Sequence, residues 1–338
     1  MYRKIMSFLE AWKDSEHRKP LILQGARQVG KTYSILEFGR THYENVAYFN
    51  FETNPKLNET FEENISPDYL IPILSHIAGQ TIVREKTLIV FDEVQLCERA
   101  LTSLKYFCED APDYHIIVAG SLLGVAVNRA KFSFPVGKVD MKTLYPMDME
   151  EFMVACGESA LVEQIKKCFA EDTPLPSALH DAAMQLYRQY LIVGGMPECV
   201  MQFVETKDYI LVRHTQDTIL ASYLNDMSKY NNLNEIKKTR LAYDNITVQL
   251  SKKNTRFQYK LIKKGGRASE FENAIEWLCL SGIVSQVYKV EQIKKPLENY
   301  RDIDAFKIYV SDLGLLCAKK DLAANDVLYM VEELNDFK

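Results

Sequence analysis

The chain has 338 residues, a formal net charge of -5, 47% hydrophobic and 26% charged side chains. That length allows two or three domains, and that balance excludes collagen-like, fibrous and wholly disordered classes. Seven cysteines are scattered, none spaced as CxxC and none near histidines at zinc spacing, so they read as reduced thiols filling core space rather than a disulfide framework or a zinc module.

From the N-terminus, "MYRKIMSFLEAWKDSEHRKP" carries charges before any apolar run develops, so it is not a signal peptide. Ile5, Phe8, Leu9 and Trp12 fall on one face of a helix. No run of about 18 apolar residues follows anywhere, so no membrane span is expected and the protein is placed in the cytoplasm.

The next element is the strand-like run Leu21-Ile22-Leu23, followed by "GARQVGKTYS". Gly25, Gly30, Lys31 and Thr32 satisfy G-x-x-x-x-G-K-[ST], the phosphate loop or Walker A pattern. A chance match would arise in about one chain of this length per 100. The glycines let successive amides turn toward phosphate oxygens. Lys31 is placed to reach the β- and γ-phosphates, and the Thr32 hydroxyl to bind Mg²⁺. The following helix, which includes Leu36 and Phe38, aims its positive end at the same anion. The expected cradle is therefore Gly25, Ala26, Arg27, Gln28, Val29, Gly30, Lys31, Thr32 and Tyr33, with ATP and Mg²⁺ as ligands.

"ENVAYFNFET" predicts a strand near Val46 to Phe51, and Asp68 to Ile77 a helix. "TLIVFDEVQ" then supplies the second half of a nucleotide site. Leu88 to Phe91 is a continuous apolar run, as in a strand covered on both faces. Asp92 at its end is placed to hold Mg²⁺, as in a Walker B strand, and Glu93 to deprotonate or orient the attacking water. The bland alternative is a buried strand ending in two capping acids.

A helix is expected over Ala100 to Cys108, and strands over Tyr114 to Ala119 and near Val139 to Leu144. Ser121, just past the first of these strands, is a candidate γ-phosphate sensor or simply a turn serine. The strand–helix alternation argues a parallel sheet covered by helices, with right-handed crossovers bringing the loops to one rim. ATPases of this kind often borrow a positive charge from a neighbouring subunit. Arg129 is the candidate finger, which would entail self-association, and Arg99 is its competitor; both read more readily as surface arginines.

Residues 149–228 read as helices, interrupted by Pro174, Pro176 and the "GGMPE" break. Asp148, Glu150 and Glu151 fit a helix N-terminus better than a metal cluster. Residues 229–270 then hold eleven basic and three acidic side chains. Helices are expected over Leu241 to Leu250 and Ser269 to Leu280. Ser269 and Glu272 are spaced as a capping box, and Gly282 stands at the end. "IVSQVYKV" and "FKIYVSD" would pair as a hairpin. Helix–helix–hairpin is the order of a winged helix, whose second helix reads a major groove. That helix carries Glu270, Glu272 and Glu276, so duplex DNA would be met by phosphate contacts from Lys263, Lys264 and Arg267. The alternative is a basic solvated face, or one docked on the acidic remainder of the molecule.

"RKPLILQGARQVGKT", "LIVFDEVQ", "VAGSLLG", "FPVGKVDMKTLYPMDMEEF" and "GGMPECV" together resemble the prokaryotic AAA-type ATPases that carry a C-terminal region of unknown function. The resemblance runs from about Arg18 to Leu316. It implies an additional-strand, conserved-glutamate P-loop ATPase domain over residues 1–148, a helical lid over 149–228, a winged helix over 229–316 and the start of a shortened C-terminal region over 317–338. Relatives of that kind commonly continue into a nuclease-like domain, which this chain, ending in "VEELNDFK", is expected to lack. Many carry Gly-Arg where Gly137-Lys138 stands here, which weakens a nucleotide-sensing arginine at that spot. The output implied is ATP hydrolysis, with action on DNA as a further expectation; a slow nucleotide switch and a DNA-tethered adaptor are the alternatives. GTP is disfavoured because no N-K-x-D follows.

Overall fold

The computed structural model describes residues 1–121, 123–127, 134–229, 233–252 and 256–329. They divide into two compact units, Arg3–Tyr145 and a second from Pro146 on that also takes in Met1–Tyr2.

In the first unit the elements run α1 (Ile5–Lys13), β1 (Leu21–Gln24), α2 (Lys31–His42), β2 (Asn45–Asn50), α3 (Lys56–Glu63), α4 (Pro67–Ala78), β3 (Thr87–Asp92), α5 (Glu98–Asp110), β4 (His115–Ala119), α6 (Leu123–Val127) and β5 (Asp140–Thr143). The described strands form one parallel sheet in the order β2-β3-β4-β1-β5. Strand β4 thus lies between β1, which leads into the phosphate loop, and β3, which ends in Asp92.

The register follows from burial on both faces. Every residue of β3 and β4 is buried, as parallel strands between helical layers must be. Ile22, Phe49, Ile89, Phe91 and Val118 share one cluster with Leu57, Phe61, Leu70, Leu74, Leu101 and Leu104 from α3, α4 and α5. Alternate residues point the other way, and α2 packs on β2, β3 and β4. A one-residue slip would turn the apolar set of a strand from one layer to the other, so the carboxyl-end residues are placed by the hydrophobic pattern itself.

The second unit is mainly helical: α7 (Met149–Ala155), α8 (Ser159–Ala170), α9 (Ser177–Val193), α10 (Pro197–Thr206), α11 (Tyr209–Lys229), α12 (Leu233–Leu250), α13 (Tyr259–Ile262) and α14 (Ala268–Leu280) lead into the antiparallel pair β6 (Val284–Val290) and β7 (Arg301–Val310), then α15 (Leu313–Lys319) and α16 (Ala324–Leu328). Asp148 and Glu151 close a capping box on α7: Glu151 N donates to Asp148 at 2.9 Å and Asp148 N to Glu151 at 3.2 Å. The acids there serve the helix end, as expected. The "GGMPE" break also acquires a job. Buried Asp312 accepts from Gly195 N at 2.6 Å and Leu315 N at 2.8 Å, while Met147 N donates to Gly195 O at 2.6 Å. A Cβ on Gly195 would stand 1.9 Å from Met147 O, so only glycine passes. The motif therefore pins the end of α9 to the start of α15. Burial pushes Asp312 up to about 6, against the pull of its backbone donors.

One local expectation fails. Ser269 does not cap α14: the helix starts at Ala268 behind an extended Arg267, with no side-chain cap. The turn in which Gly266 N donates to Lys263 O brings the chain into the helix earlier, leaving Ser269 inside the first turn. Helix α12 also begins earlier than the apolar spacing predicts, at Leu233 rather than Leu241, and its first turns carry the Glu235–Lys238 pair at 2.9 Å. No helix among the described residues is long and apolar enough to cross a membrane.

Candidate active site

The loop between β1 and α2 wraps the N-terminus of that helix. Gly30 takes the left-handed cap position with φ 89°, and Gln28 precedes it at φ 66°. Gly25 lies so tightly over the end of β5 that a Cβ there would meet Leu144 O at 2.1 Å. Two cations hold loop carbonyls. Lys31 Nζ donates to Gly25 O at 2.9 Å and Ala26 O at 2.8 Å, and buried Arg3 donates to Val29 O and Tyr145 O, both at 2.8 Å. Burial pushes Lys31 down to about 8, against the raising pull of Glu93 and then Asp92. The lysine therefore sits within the field of both acids.

Asp92 is brought to the loop by the register of the sheet. Thr32 Oγ1 donates to its Oδ2 at 2.9 Å and Tyr48 Oη to the same oxygen at 2.8 Å, while Glu93 N donates to Oδ1 at 3.0 Å. Burial raises Tyr48 to about 12, keeping it a neutral donor. Two hard oxygens, the Thr32 hydroxyl and the Asp92 carboxylate, thus meet at hydrogen-bond distance, a donor set that suits Mg²⁺ beside water and phosphate oxygens. The donor chemistry of the loop suits a phosphate: Lys31 stands at the N-terminus of α2, where helix amides and a cation favour an anion.

Glu93 follows in a left-handed conformation, φ 52° and ψ 37°, uncommon for a non-glycine residue and a feature that clusters at functional sites. Gln95 Nε2 donates to its Oε2, and Ser121 Oγ lies 3.4 Å from the same oxygen. Lys31, Thr32, Asp92, Glu93 and Ser121 therefore converge at the carboxyl ends of β1, β3 and β4, the rim where open α/β sheets bind ligands. Tyr33, the last cradle position, is exposed.

Arg129 lies outside the described residues. Arg99 donates to Phe61 O at 2.7 Å and lies 3.7 Å from Glu62, so it is committed to the scaffold. Lys138 pairs with Glu109 at 2.8 Å. Conversely, no sequence motif marks Arg3 or Tyr48, and Gln95 closes the stretch "LIVFDEVQ" with no role that its spacing gives. Tyr48 has one visible signal: with Asn50 it alternates with apolar Ala47 and Phe49, setting two polar groups on one face near the end of β2.

Residues 17–153 match the AAA domain family, and residues 184–326 match a domain of unknown function (DUF8612). The chain is similar to the Walker-type ATPase paby2304 of Pyrococcus abyssi, at 14% identity over 94% of this chain and 95% of that one, with a TM-score of 0.54. Lower scores relate it to the ORC2 protein of Aeropyrum pernix (11% identity, 98% and 94% coverage, TM-score 0.41) and to the RuvB Holliday junction branch migration motor of Thermotoga maritima (15% identity, 83% and 87% coverage, TM-score 0.35). No curated protein matches the sequence. The first unit thus has the P-loop fold, and residues 17–153, most of it, match the AAA domain family.

Proposed function

We propose that the Arg3–Tyr145 unit binds ATP with Mg²⁺ and hydrolyses it to ADP and phosphate. The observation that carries this is the meeting of Thr32 and Asp92 at 2.9 Å with Glu93 one residue on, all beside Lys31. Lys31 and the amides of residues 25–33 bind and orient the β- and γ-phosphates. Thr32 and Asp92 hold the metal, which when bound neutralises charge on the phosphate oxygens. Glu93 takes the proton of a water as its oxygen attacks the γ-phosphorus and the β–γ bridging P–O bond breaks. Ser121 steadies the Glu93 carboxylate. Phosphate release from ATP, measured with Mg²⁺ and with excess chelator, tests this assignment. Metal-dependent turnover is expected, and nucleotide binding with no turnover under either condition would contradict it.

The finer organisation belongs to the same proposal: a helical lid over 149–228, a winged helix over 229–316 and a C-terminal region starting at 317. The order α12, α14, β6, β7, with α12 packed on α14 and on β7, supports the winged helix. Arg129 is retained as a candidate finger supplied between copies. A cytoplasmic location belongs to the same proposal.

One observation favours duplex DNA as a partner of residues 229–270. Lys260, Lys264 and Arg267 are exposed together around the turn that leads into α14. Other bases of the region are engaged within the molecule: Lys238 with Glu235, Lys263 with Glu270 at 3.3 Å, and Arg240 with Ser228 at 2.8 Å. Binding through the exposed group would be independent of sequence and steep in salt. Turnover stimulated by DNA would mark a motor; DNA affinity indifferent to nucleotide, a tethered adaptor; very slow turnover indifferent to DNA, a switch.

A further inference from the structure

We propose that Gln95 is a positioning residue for Glu93, and that Gly120 is glycine in order to admit it. The inference rests on the hydrolase reading above and assigns to it two residues which that reading does not use.

Glu93 is held in a left-handed backbone conformation, a costly state for a glutamate that persists only where neighbours impose it. Its side chain is then oriented from one side. Gln95 Nε2 and Ser121 Oγ both approach Oε2. Oε1 is left as the oxygen that takes a proton from water. A general base works only when its lone pair points along the path of that proton, and a long, half-buried carboxylate would otherwise sweep through several rotamers.

At its far end the amide of Gln95 packs against Gly120. Its Oε1 is buried with no hydrogen-bond partner among the described residues. That oxygen occupies the space a side chain at position 120 would need: a Cβ on Gly120 would stand 2.0 Å from it. Gly120 lies directly past β4, next to Ser121, and its φ gives it no conformational need to be glycine. A side chain there would have to push the Gln95 amide aside. An unpaired buried acceptor is destabilising. A residue with only a packing role would gain by being apolar, so the polar amide is there for its donor.

The test is a double-mutant cycle on Gln95 and Gly120, read by steady-state ATP turnover and by the Kd of a fluorescent ATP analogue. Gln95→Leu removes the donor and also the unpaired acceptor, so it folds. It should lower kcat about 10- to 100-fold while Kd stays within about twofold. Gly120→Ala should do the same by displacing the amide, and the double variant should be no worse than the poorer single one. Gln95→Glu keeps the shape but sets a second carboxylate against Glu93, and it should be the most damaging of the set. Unchanged kcat in Gln95→Leu, additive losses in the double variant, or wild-type-like turnover in Gln95→Glu would overturn the assignment while leaving the hydrolase intact. A wild-type chain that binds the analogue and never turns ATP over would overturn the hydrolase reading, and this inference with it.

Discussion

Asp92 and Asp312 are both buried carboxylates, one in each unit, and each accepts from a backbone amide, but only Asp92, held by Glu93 N at one oxygen, gives its other oxygen to hydroxyls. Asp92 Oδ2 accepts from two side-chain hydroxyls, Thr32 and Tyr48, at the rim of the sheet. Asp312 accepts from the backbone amides of Gly195 and Leu315. A hydroxyl can rotate away and give its place to a metal or a water; a backbone amide within a glycine turn cannot. The first arrangement suits a site, the second a fastener. Burial alone would rank the two aspartates together, and the partners separate them.

The largest expected effect lies on the exchangeable side. Lys31→Ala should weaken nucleotide binding by about 100-fold or more, through loss of charge-assisted bonds to phosphate. Isothermal titration with ATP and Mg²⁺ checks it, and affinity within about threefold of wild type would dissolve the contrast.

Next in size is the fastener. Asp312→Ala leaves the Gly195 and Leu315 amides buried without acceptors, and it should destabilise the second unit by about 2–4 kcal/mol. The two tryptophans divide between the units, Trp12 in α1 and Trp277 in α14. Urea unfolding followed by Trp277 in a Trp12→Phe background should show the loss.

Acid sharpens the comparison because the units carry shifts of opposite sign. Burial, with Arg18 and Lys13 nearby, pushes His115 down to about 4 from 6.5. Its contribution to the first unit is fully present above pH 6.5 and is lost as pH falls toward 4. Asp312, raised from 3.8 to about 6, contributes fully below pH 3.8 and loses that contribution as pH rises through 6. Between about pH 7 and 4.5, His115→Gln should therefore flatten the decline reported by Trp12. Asp312→Asn should remove a gain reported by Trp277.

Alkali gives the smallest signal. Phosphate binding needs the protonated lysine, and Lys31 is held at about 8. Affinity for ATP should be level below about pH 7 and fall toward tenfold per pH unit well above pH 8. Lys31→Arg should remove that limb, because guanidinium does not titrate there.

What is legible in the sequence follows the same division. The phosphate loop and the acid pair are legible because their chemistry demands particular residue types at fixed spacing, and the parallel sheet because β3 and β4 are uninterrupted apolar runs. Tyr48 and Gln95 are not, because their roles come from register and from a turn: Tyr48 reaches Asp92 only because β2 pairs alongside β3, with Asn50 opposite Asp92. Arg3 lies 142 residues from the Tyr145 carbonyl it holds, beyond any local pattern. Helix α3 is short, eight residues, and offers only the single apolar pair Leu57 and Phe61, one turn apart. In the second unit "GGMPE" stands out as a motif, yet its partner Asp312 lies 117 residues further on from Gly195. Ser269 shows the reverse failure, a good capping pattern overruled by the glycine turn before it.

Phosphate loop, metal oxygens and Glu93 are proposed to form one working centre. Its most direct test compares wild type with Glu93→Gln at saturating Mg²⁺-ATP, measuring the Kd for nucleotide and phosphate release on the same samples. Binding should stay within about twofold of wild type and turnover should fall by about 10² to 10⁴. Undiminished phosphate release from Glu93→Gln would contradict it.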